Sequence, residues 1–436
     1  MKRPVQSWGR LSNGLHALQP LSDREQAHRV VPSTLQPGLA HGNGRSYGDV
    51  CLNEGGALWL TRGLDRFIAF DAETGTLDCE SGVTLQEIIE WSLPRGWFLP
   101  VTPGTQYVTV GGAVANDVHG KNHHHAGSFG HHVQALSLLR TDGELIDCSP
   151  QRSAPWFSAT VGGLGLTGVI IRVRLRLRKV QGPWIDAETH PFESLEEFYA
   201  LSARLGAIWE YCVAWIDCLQ SVANGCRGLL FVGNHGTGCE APAPRRSARG
   251  LPITPPFSLV QGASVRGFNT LYYNLHRRRR GAARRHYEGF FYPLDKLVGW
   301  NRLYGPSGFY QYQCVVPRHS EFEAVRELLR LIAVSGEGSF LAVLKTFGER
   351  PSTGLLGFAM PGTTLALDFC NRGPATLELF ERLNEVVAAA GGRLYCAKDA
   401  CMPRTLFEAG YPRLAEFTAF RDPSISSELS RRLMGT

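Results

Sequence analysis

The sequence predicts an α+β protein of two domains, and three observations support that prediction. The chain has 436 residues, more than one hydrophobic core usually supports. Hydrophobic residues make up 43% of it, which is ample for burial. Between Pro183 and Gly391, short strand-like pieces alternate with longer segments of helical periodicity. That alternation is typical of an antiparallel sheet that carries helices.

The individual elements follow from hydrophobic periodicity. Short apolar or alternating runs predict strands at 57–61, 96–101, 134–139, 170–179, 229–233, 308–316, 340–346 and 364–369. Apolar residues at helical spacing predict helices at 84–93, 195–205, 321–334 and 375–390. The run IIRVRLRLRK at 170–179 alternates most strictly, which predicts a strand with one exposed face.

The composition narrows the class of protein. The chain has no run of eighteen apolar residues, and its polar start MKRPVQSWGRLSNG lacks the apolar stretch of a secretory signal. Its eleven cysteines include no C-x-x-C pair, so we interpret them as reduced thiols rather than disulfides or zinc ligands. We therefore expect a cytoplasmic protein.

The net charge of +6 is concentrated in one basic stretch, His276–Arg280 followed by Arg284–His286. A run of this kind usually forms a solvated or mobile loop. The alternative is an anionic partner. A proline-rich segment (242–256) and two apolar patches (257–260 and 268–273) lie just upstream, which favours a lipid surface on the inner face of the plasma membrane. No nucleic-acid motif accompanies the arginines, so we expect no nucleic-acid partner.

Three glycine-rich segments lie within the first 170 residues: HGNGRSYGD at 41–49, VTVGGAVANDVHGKNHHHAGSFGHHV at 108–133 and TVGGLGLTGV at 160–169. Glycines allow positive φ angles and close approach of the backbone, so amide groups can form a nest for a pyrophosphate. The first segment alone fits a tight turn equally well. One large cofactor explains all three segments together. The spacing is not the G-x-G-x-x-G of the doubly wound dinucleotide fold.

Six motifs in order along the chain carry a family resemblance: GRSYGD (44–49), VTVGGAVANDVHGKNHHHAGSFG (108–130), GLGLTGVI (163–170), GFFYPLD (289–295), QYQ (311–313) and GGRLYCAKD (391–399). In these the chain resembles the vanillyl-alcohol oxidase and p-cresol methylhydroxylase (PCMH) family of FAD-dependent enzymes. Within it, the chain resembles the decaprenylphosphoryl-β-D-ribose 2′-oxidase group. The motifs span nearly the whole chain.

The resemblance implies a two-domain FAD-binding PCMH-type fold with an inserted antiparallel-sheet substrate domain. The FAD-binding domain would comprise residues 1–180 and a C-terminal return at 393–436, with the substrate-binding domain at 181–392. Members of the wider family often attach FAD through a His in the first loop, where this chain has Arg45 after Gly44. We therefore predict non-covalent FAD.

The resemblance also implies a set of site residues. The cofactor-binding residues would be His41, Gly42, Asn43, Gly44, Arg45, Ser46, Tyr47, Pro103, Gly104, Thr105, Gly111, Gly112, Ala115, Asn116, His119, Gly120, Gly168, Val169 and Tyr395. The substrate-binding residues would be Lys121, Trp215, Gln311, Gln313, Lys345, Thr364 and Lys398. The catalytic residues would be Lys398, His119, Tyr47 and Gln313.

Two points about these residues stay open in the sequence. Either Lys398, if burial lowers its pKa, or His119 could accept the proton of the substrate hydroxyl. The other histidines around 123–132 suggest a metal, but no acidic or cysteine companion supports one, so we predict none. The family often has an Asn and a Cys where this chain has Thr364 and Ala366, so we expect covalent inhibition through that Cys to fail here.

The implied reaction is oxidation of the 2′-hydroxyl of a polyprenyl-phosphate-linked ribofuranose to a 2-keto sugar. A short-chain-type NAD(P)H reductase would be the pathway partner that completes epimerisation to the arabinose, in cell-envelope biosynthesis. Two alternatives remain. One is a sugar or alditol oxidase that acts on a soluble substrate with oxygen, and the other is a membrane-associated flavoprotein scaffold without catalytic activity.

Overall fold

The structure is a computed structural model that describes residues 2–220, 226–238, 249–250, 253–278 and 281–435. Its strands and helices confirm the predicted α+β class. Within these ranges, no helix combines the length and the apolar composition that crossing a bilayer requires.

Strands from the first 180 residues form three sheets. The first contains β1 (Lys2–Pro4), β2 (Leu15–Pro20), β3 (Gly38–His41) and β4 (Ala57–Leu60). The second contains β5 (Phe67–Asp71), β6 (Thr76–Glu80), β8 (Val133–Leu139), β9 (Leu145–Cys148) and β10 (Val169–Arg176), and the short third pairs β7 (Trp97–Phe98) with β11 (Arg178–Lys179). The orders are β1-β2-β4-β3, with β4 parallel to both neighbours, and β5-β6-β10-β8-β9, antiparallel throughout.

In the described part of the chain, the second domain is built on an eight-stranded antiparallel sheet. Its strands are β12 (Trp184–Phe192), β13 (Tyr211–Ile216), β14 (Gly228–His235), β16 (Ala283–His286), β18 (Phe309–Pro317), β19 (Ala342–Phe347), β20 (Gly362–Cys370) and β21 (Arg393–Leu394). The order is β16-β12-β14-β13-β19-β20-β18-β21. Beside it, β15 (Arg249–Gly250) pairs in parallel with β17 (Leu297–Val298).

Thirteen α-helices lie within the described residues. They are α1 (Arg24–Ser33), α2 (Leu85–Ser92), α3 (Val110–Ala115), α4 (His123–Ala126), α5 (Ala154–Thr160), α6 (Leu195–Gly206), α7 (Gly262–Arg277), α8 (Tyr287–Phe291), α9 (Glu321–Ser335), α10 (Pro374–Ala389), α11 (Arg404–Gly410), α12 (Leu414–Thr418) and α13 (Glu428–Met434). The helices α9 and α10 bury apolar faces, with Leu328 and Leu383 fully buried, against the large sheet. Burying one leucine side chain contributes about 2 kcal/mol.

Most predicted elements are present, with ends shifted by a few residues. The strand predicted at 96–101 is only Trp97–Phe98, because Gly96 has φ +79° and Pro100 lacks the amide that a strand would use. The strand predicted at 170–179 is interrupted at Leu177, whose amide donates to Gly75 O instead. The domain limits at 180 and 393 stay a prediction.

The basic stretch differs from the loop that its composition predicts. Arg277 ends α7, and Arg284 to His286 belong to β16, the edge strand of the large sheet. Arg279 and Arg280 lie outside the described residues. The loop interpretation was therefore wrong for the described part, because residues 283–286 pair with β12 over four register positions.

After β21, the chain returns to the first domain and runs beside the GRSYGD loop. The amide of Tyr47 donates to Ala397 O (3.2 Å) and that of Asp49 to Asp399 O (3.3 Å). Between them, Gly48 approaches so closely that a Cβ atom there would lie 1.5 Å from Asp399 O. This approach places Tyr47 directly beside the segment that carries Lys398.

We expect Gly48→Ala to lower the free energy of unfolding by about 2 kcal/mol and to weaken FAD retention, because a methyl group would force the two loops apart. Chemical denaturation and the flavin-to-protein absorbance ratio measure both effects. Gly267→Ala is the matched control, since a Cβ there meets no atom within 4 Å. Equal stability of the two variants would contradict the close approach.

Candidate active site

A cavity of about 1160 Å³ is lined by both domains and by the returning segment. The first domain contributes the loops at 42–47 and 102–112, the second contributes residues of β13, β18 and β19, and the return contributes Tyr395 and Lys398. Ligand pockets usually hold about 300–1,000 Å³, so this cavity has room for a large cofactor and a substrate together.

The first cavity wall is the glycine-rich loop. Gly44 has φ +58°, a conformation that favours glycine, and a Cβ on Gly42 would lie 2.4 Å from Thr109 Oγ1. The Asn43 side chain donates to Tyr107 O (2.8 Å), which fixes this loop against the second glycine-rich segment. The Arg45 guanidinium lies 4.4 Å from the centre of the Trp8 ring. The loop therefore contributes small residues and one cation to the cavity wall.

A buried carboxylate shapes the second segment. Asp117, with φ +40°, accepts hydrogen bonds from Ser128 Oγ (2.8 Å), Gly130 N (2.8 Å) and Ser352 Oγ (3.0 Å). Burial raises its pKa, and these donors oppose the rise. The hydrogen bonds hold the turn that follows α3, so His119 points into the cavity from a fixed backbone.

His119 forms a pair with Gln313 from β18. The Gln313 amide nitrogen lies 3.0 Å from His119 Nε2 and donates to Thr364 Oγ1 (3.2 Å). This arrangement assigns the imidazole proton to Nδ1. Burial, and then the charge of Lys345, hold the pKa of His119 well below its usual range. His119 is therefore neutral at pH 7 and a weak base.

Lys398 lines the same cavity as this pair. Its ammonium nitrogen is 3.7 Å from the centre of the Tyr47 ring. Burial lowers the pKa of Lys398 to about 7, and the nearby Asp368 carboxylate opposes that shift. Asp368, which is fully buried, accepts hydrogen bonds from Gln311 Nε2 (2.6 Å) and Tyr304 OH (3.3 Å). Burial raises its own pKa to about 7.

Two further lysines face the cavity. Lys345 donates to Gly120 O (2.8 Å), and Lys121 donates to Phe290 O. Burial lowers the pKa of each to about 7, and Lys121 lowers that of Lys345 further. An anionic ligand would stabilise the protonated forms of two neighbouring amines of this kind.

The structure brings nearly all predicted site residues to one cavity. His41, Val169 and Thr364 do not line it. The His41 ring turns away to Cys51 O (Nδ1–O 2.9 Å), and Val169 is fully buried in the core. Thr364 lies behind Gln313, which it contacts instead of the cavity. The part of His41, Val169 and Thr364 in ligand binding therefore stays a prediction.

The sequence analysis missed Asp368, the acidic partner of Lys398. It stands five residues beyond Thr363 on β20, where the pattern Thr364–Phe369 predicts only a buried strand. A carboxylate inside an apolar strand was the available signal, since buried acids are rare unless they are paired.

Three histidines of the second segment contact backbone carbonyl oxygens. His124 Nε2 lies 3.2 Å from Trp209 O, His131 Nε2 2.9 Å from Pro351 O and His132 Nε2 3.0 Å from Ala126 O. Across the part of the chain that the structure describes, no group of three His, Cys, Asp or Glu residues could hold a metal ion. These histidines tie the segment to its neighbours.

Comparisons with known proteins agree with this geometry. A family model described as an FAD binding domain matches residues 22–149. Decaprenylphosphoryl-beta-D-ribose oxidase of Mycolicibacterium smegmatis is 35% identical to the chain over 457 residues, which cover 98% of this chain and 97% of that protein. The chain belongs to the decaprenylphosphoryl-β-D-ribose oxidase family.

Two other relatives are similar to a large part or a smaller part of the chain. A Streptomyces coelicolor protein, described as an uncharacterized protein in the mprA 5′ region, is 36% identical over 80% of this chain and all of its own length. Cytokinin dehydrogenase 10 of Oryza sativa is 30% identical over 32% of this chain and 25% of its own. Membership of the decaprenylphosphoryl-β-D-ribose oxidase family makes the protein an FAD-dependent oxidoreductase with the PCMH-type two-domain fold.

The cavity residues fit FAD. Four residues that line the cavity each have a buried polar atom with no hydrogen-bond partner among the described residues: Arg45 Nε, Ser81 Oγ, Asn116 Oδ1 and His119 Nδ1. A buried polar atom costs free energy unless it is paired, so these atoms are suited to bind a polar cofactor. Gly104 and Gly165 leave open space where a Cβ would lie. Non-covalent attachment stays a prediction.

Proposed function

We propose that the protein oxidises the 2′-hydroxyl of a polyprenyl-phosphate-linked β-D-ribofuranose to the 2-keto sugar. The observation that carries this proposal is the pair of amines, half-buried Lys121 and buried Lys345, in the same cavity as the His119–Gln313 pair and Lys398. The arrangement combines an anion site with a proton acceptor. The name of the Mycolicibacterium smegmatis relative supports a phosphate-linked ribose as the substrate.

The phosphate of the substrate would bind between Lys121 and Lys345. Both amines bind backbone carbonyls with one donor, and an ammonium has three, so each has donors left for a phosphate oxygen. The negative charge of the phosphate would raise these lowered pKa values, so both amines would be protonated. This coupling selects a phosphorylated sugar over a neutral one.

The sugar would then lie between Gln311, Gln313 and Lys398. Gln311 and Gln313 are two positions apart on β18, so both side chains project from one face of the strand into the cavity. The carboxylate of Asp368 fixes the Gln311 amide, and His119 fixes that of Gln313. Because these two amides are already held in place, they can orient the hydroxyl groups of the sugar without losing further conformational freedom.

When bound, FAD supplies a hydride acceptor for the carbon that carries the hydroxyl. We assign the removal of the hydroxyl proton to Nζ of Lys398. A pKa of about 7 keeps a large share of this amine neutral at physiological pH, which is the match that a general base requires. The pKa of His119 is far lower, so His119 would orient Gln313 instead of accepting the proton.

The proposal also accounts for the apolar part of the cavity wall. Trp215, Phe231, Tyr272, Leu297 and Val298 line the cavity together. A free sugar would gain nothing from this wall, whereas a polyprenyl chain would bury apolar surface against it at about 25 cal/mol per Å².

A keto sugar needs a further step to become the arabinose, so a short-chain-type NAD(P)H reductase is the proposed partner.

Product analysis tests the substrate. The purified protein, a short-chain polyprenyl-phosphoryl-ribose and an artificial electron acceptor should yield a product two mass units lighter, and reduction with borodeuteride should place deuterium at C2′. Ribose and alditols serve as controls. The alternative, a soluble-substrate oxidase, would be favoured if the protein turned over these soluble sugars with peroxide formation but did not turn over the polyprenyl-phosphoryl-ribose.

The pH dependence follows from the assigned base. The amine of Lys398 accepts a proton only when it is neutral, so kcat/KM should rise with pH through about 7. Asp368 raises the pKa of Lys398, so Asp368→Asn should shift the rise to lower pH. Glu349→Gln, at an exposed residue, is the control. A shift to higher pH, or none, would contradict the assignment of Lys398 as the base.

A further inference from the structure

We propose that the outer face of α7 and the exposed residues around the cavity mouth form a docking surface for an anionic lipid membrane. We call this surface the apolar collar; its residues are Ile253, Phe257, Leu259, Phe268, Leu271, Leu275, Leu297 and Val298. Of its residues only Leu297 and Val298 also line the cavity, and the proposal does not depend on which sugar the protein oxidises.

Exposed apolar side chains are concentrated in the collar. Among the described residues, sixteen large hydrophobic side chains are exposed, and half of them lie between 253 and 298. This segment is about a tenth of the chain. Single exposed apolar residues are common on soluble proteins, but a cluster of this kind marks an interaction surface.

The helix α7 has apolar residues on two faces. Its inner face buries Val265 and Tyr273 against the domain. Its outer face carries Phe268, Leu271 and Leu275, which are 43%, 59% and 45% exposed. The spacing i, i+3, i+7 aligns these three on one stripe. A helix that packs only against its own domain needs one apolar face. The second, outer stripe is therefore suited to contact another apolar phase.

The collar reaches the opening of the cavity. Leu297 and Val298 line the cavity and are also 43% and 56% exposed, which places them at its mouth. Tyr272 lines the cavity from α7, and its ring stacks on Phe268 of the outer face (centroids 5.7 Å apart). An apolar chain from a membrane would therefore meet apolar side chains where it enters the cavity.

The charge of the same segment is complementary to an anionic bilayer. Residues 253–298 contain eight Lys or Arg and two Asp or Glu, a difference equal to the net charge of the whole chain, +6. Arg266, Arg277 and Arg278 are exposed on or directly after α7. Basic residues beside an apolar helix face are typical of a membrane-surface helix. A nucleic acid would use the arginines but would leave Leu271 and Leu275 in water.

Vesicle sedimentation tests the docking surface. The FAD-loaded protein should bind phosphatidylcholine vesicles that contain phosphatidylglycerol, and salt should weaken this binding because it screens the charges. Phosphatidylcholine alone should bind it more weakly. A protein that stays in the supernatant with the anionic vesicles would overturn the proposal.

Variants assign the binding to the collar. Leu271→Asp with Leu275→Asp, and separately Arg266→Glu with Arg278→Glu, should each lower the partition coefficient by about tenfold or more. Val334→Asp is the control, because Val334 is 67% exposed on α9, outside the collar. Flavin absorbance and turnover of a short-chain analogue confirm that the variants fold.

Three results would overturn the proposal. The double variant of Leu271 and Leu275 could bind anionic vesicles with the same partition coefficient as the Val334→Asp control. The wild-type protein could bind RNA and no vesicles, which would assign the arginines to a nucleic acid. The collar variants could change only the oligomeric state, which would assign the collar to a second copy of the chain.

Discussion

The Lys398→Met variant should keep its FAD and lose about two to four orders of magnitude in kcat, the usual contribution of a general base. The thioether side chain of Met retains the apolar stem of Lys398 beside the Tyr47 ring but cannot accept a proton. Stopped-flow measurement of flavin reduction at saturating substrate isolates this step. The control is Lys179→Met, at an exposed residue of β11.

A second substitution separates base catalysis from charge. Lys398→Arg keeps a cation at the site, but a guanidinium stays protonated at any pH the protein tolerates. If Lys398 is the base, the Arg variant should be nearly as slow as Lys398→Met, and small primary amines in solution should restore part of the rate of the Met variant. A fast Arg variant would reduce Lys398 to a substrate-binding residue and would leave His119 as the base.

The Arg432→Met variant should unfold more easily, by about 3–5 kcal/mol, because it would leave two buried carboxylates without their cation. Arg432 on α13 binds both oxygens of Asp49 (2.9 and 3.0 Å) and Asp399 Oδ2 (2.8 Å). It therefore joins the GRSYGD loop to the returning segment, one residue from Lys398. Chemical denaturation measures the loss.

The pH dependence of that loss has a definite sign. Burial raises the pKa of Asp49 to about 6, and the charge of Arg432 opposes the rise, so removing Arg432 raises it further. The deficit of Arg432→Met should therefore be larger at pH 8 than at pH 5, where protonation removes uncompensated charge. Arg404→Met, which loses an exposed pair with Glu408, should cost less than about 1 kcal/mol. Equal losses in the two variants would contradict the buried role of Arg432.

Local sequence signals predicted much of the fold. The helices at 195–205 and 321–334 are present within one residue of their predicted ends, because amphipathic periodicity is a local property. The helix α7 was missed, since its two apolar faces give no single stripe and its segment has the composition of an interrupted apolar loop. Propensity also could not show that Arg284 and Arg285 form an edge strand, which depends on pairing with the distant β12.

The candidate site depended more on family resemblance than on pattern. Glycine-rich loops indicated a large cofactor from their own chemistry, and Gly44 and Gly48 are in fact required by φ and by close approach. The return of Lys398 to Tyr47 is a long-range contact, which no local pattern encodes. A buried acid in an apolar strand marked Asp368 locally, but its partners, Gln311 and Lys398, are known only once β20 lies beside β18.

An anaerobic absorption spectrum tests the central claim most directly. The purified protein should show the flavin band, and this band should bleach when a polyprenyl-phosphoryl-ribose analogue is added without oxygen. Ribose at the same concentration should leave the band unchanged. A flavin band that persists with the phosphate-linked analogue and bleaches with free ribose would contradict the proposed substrate.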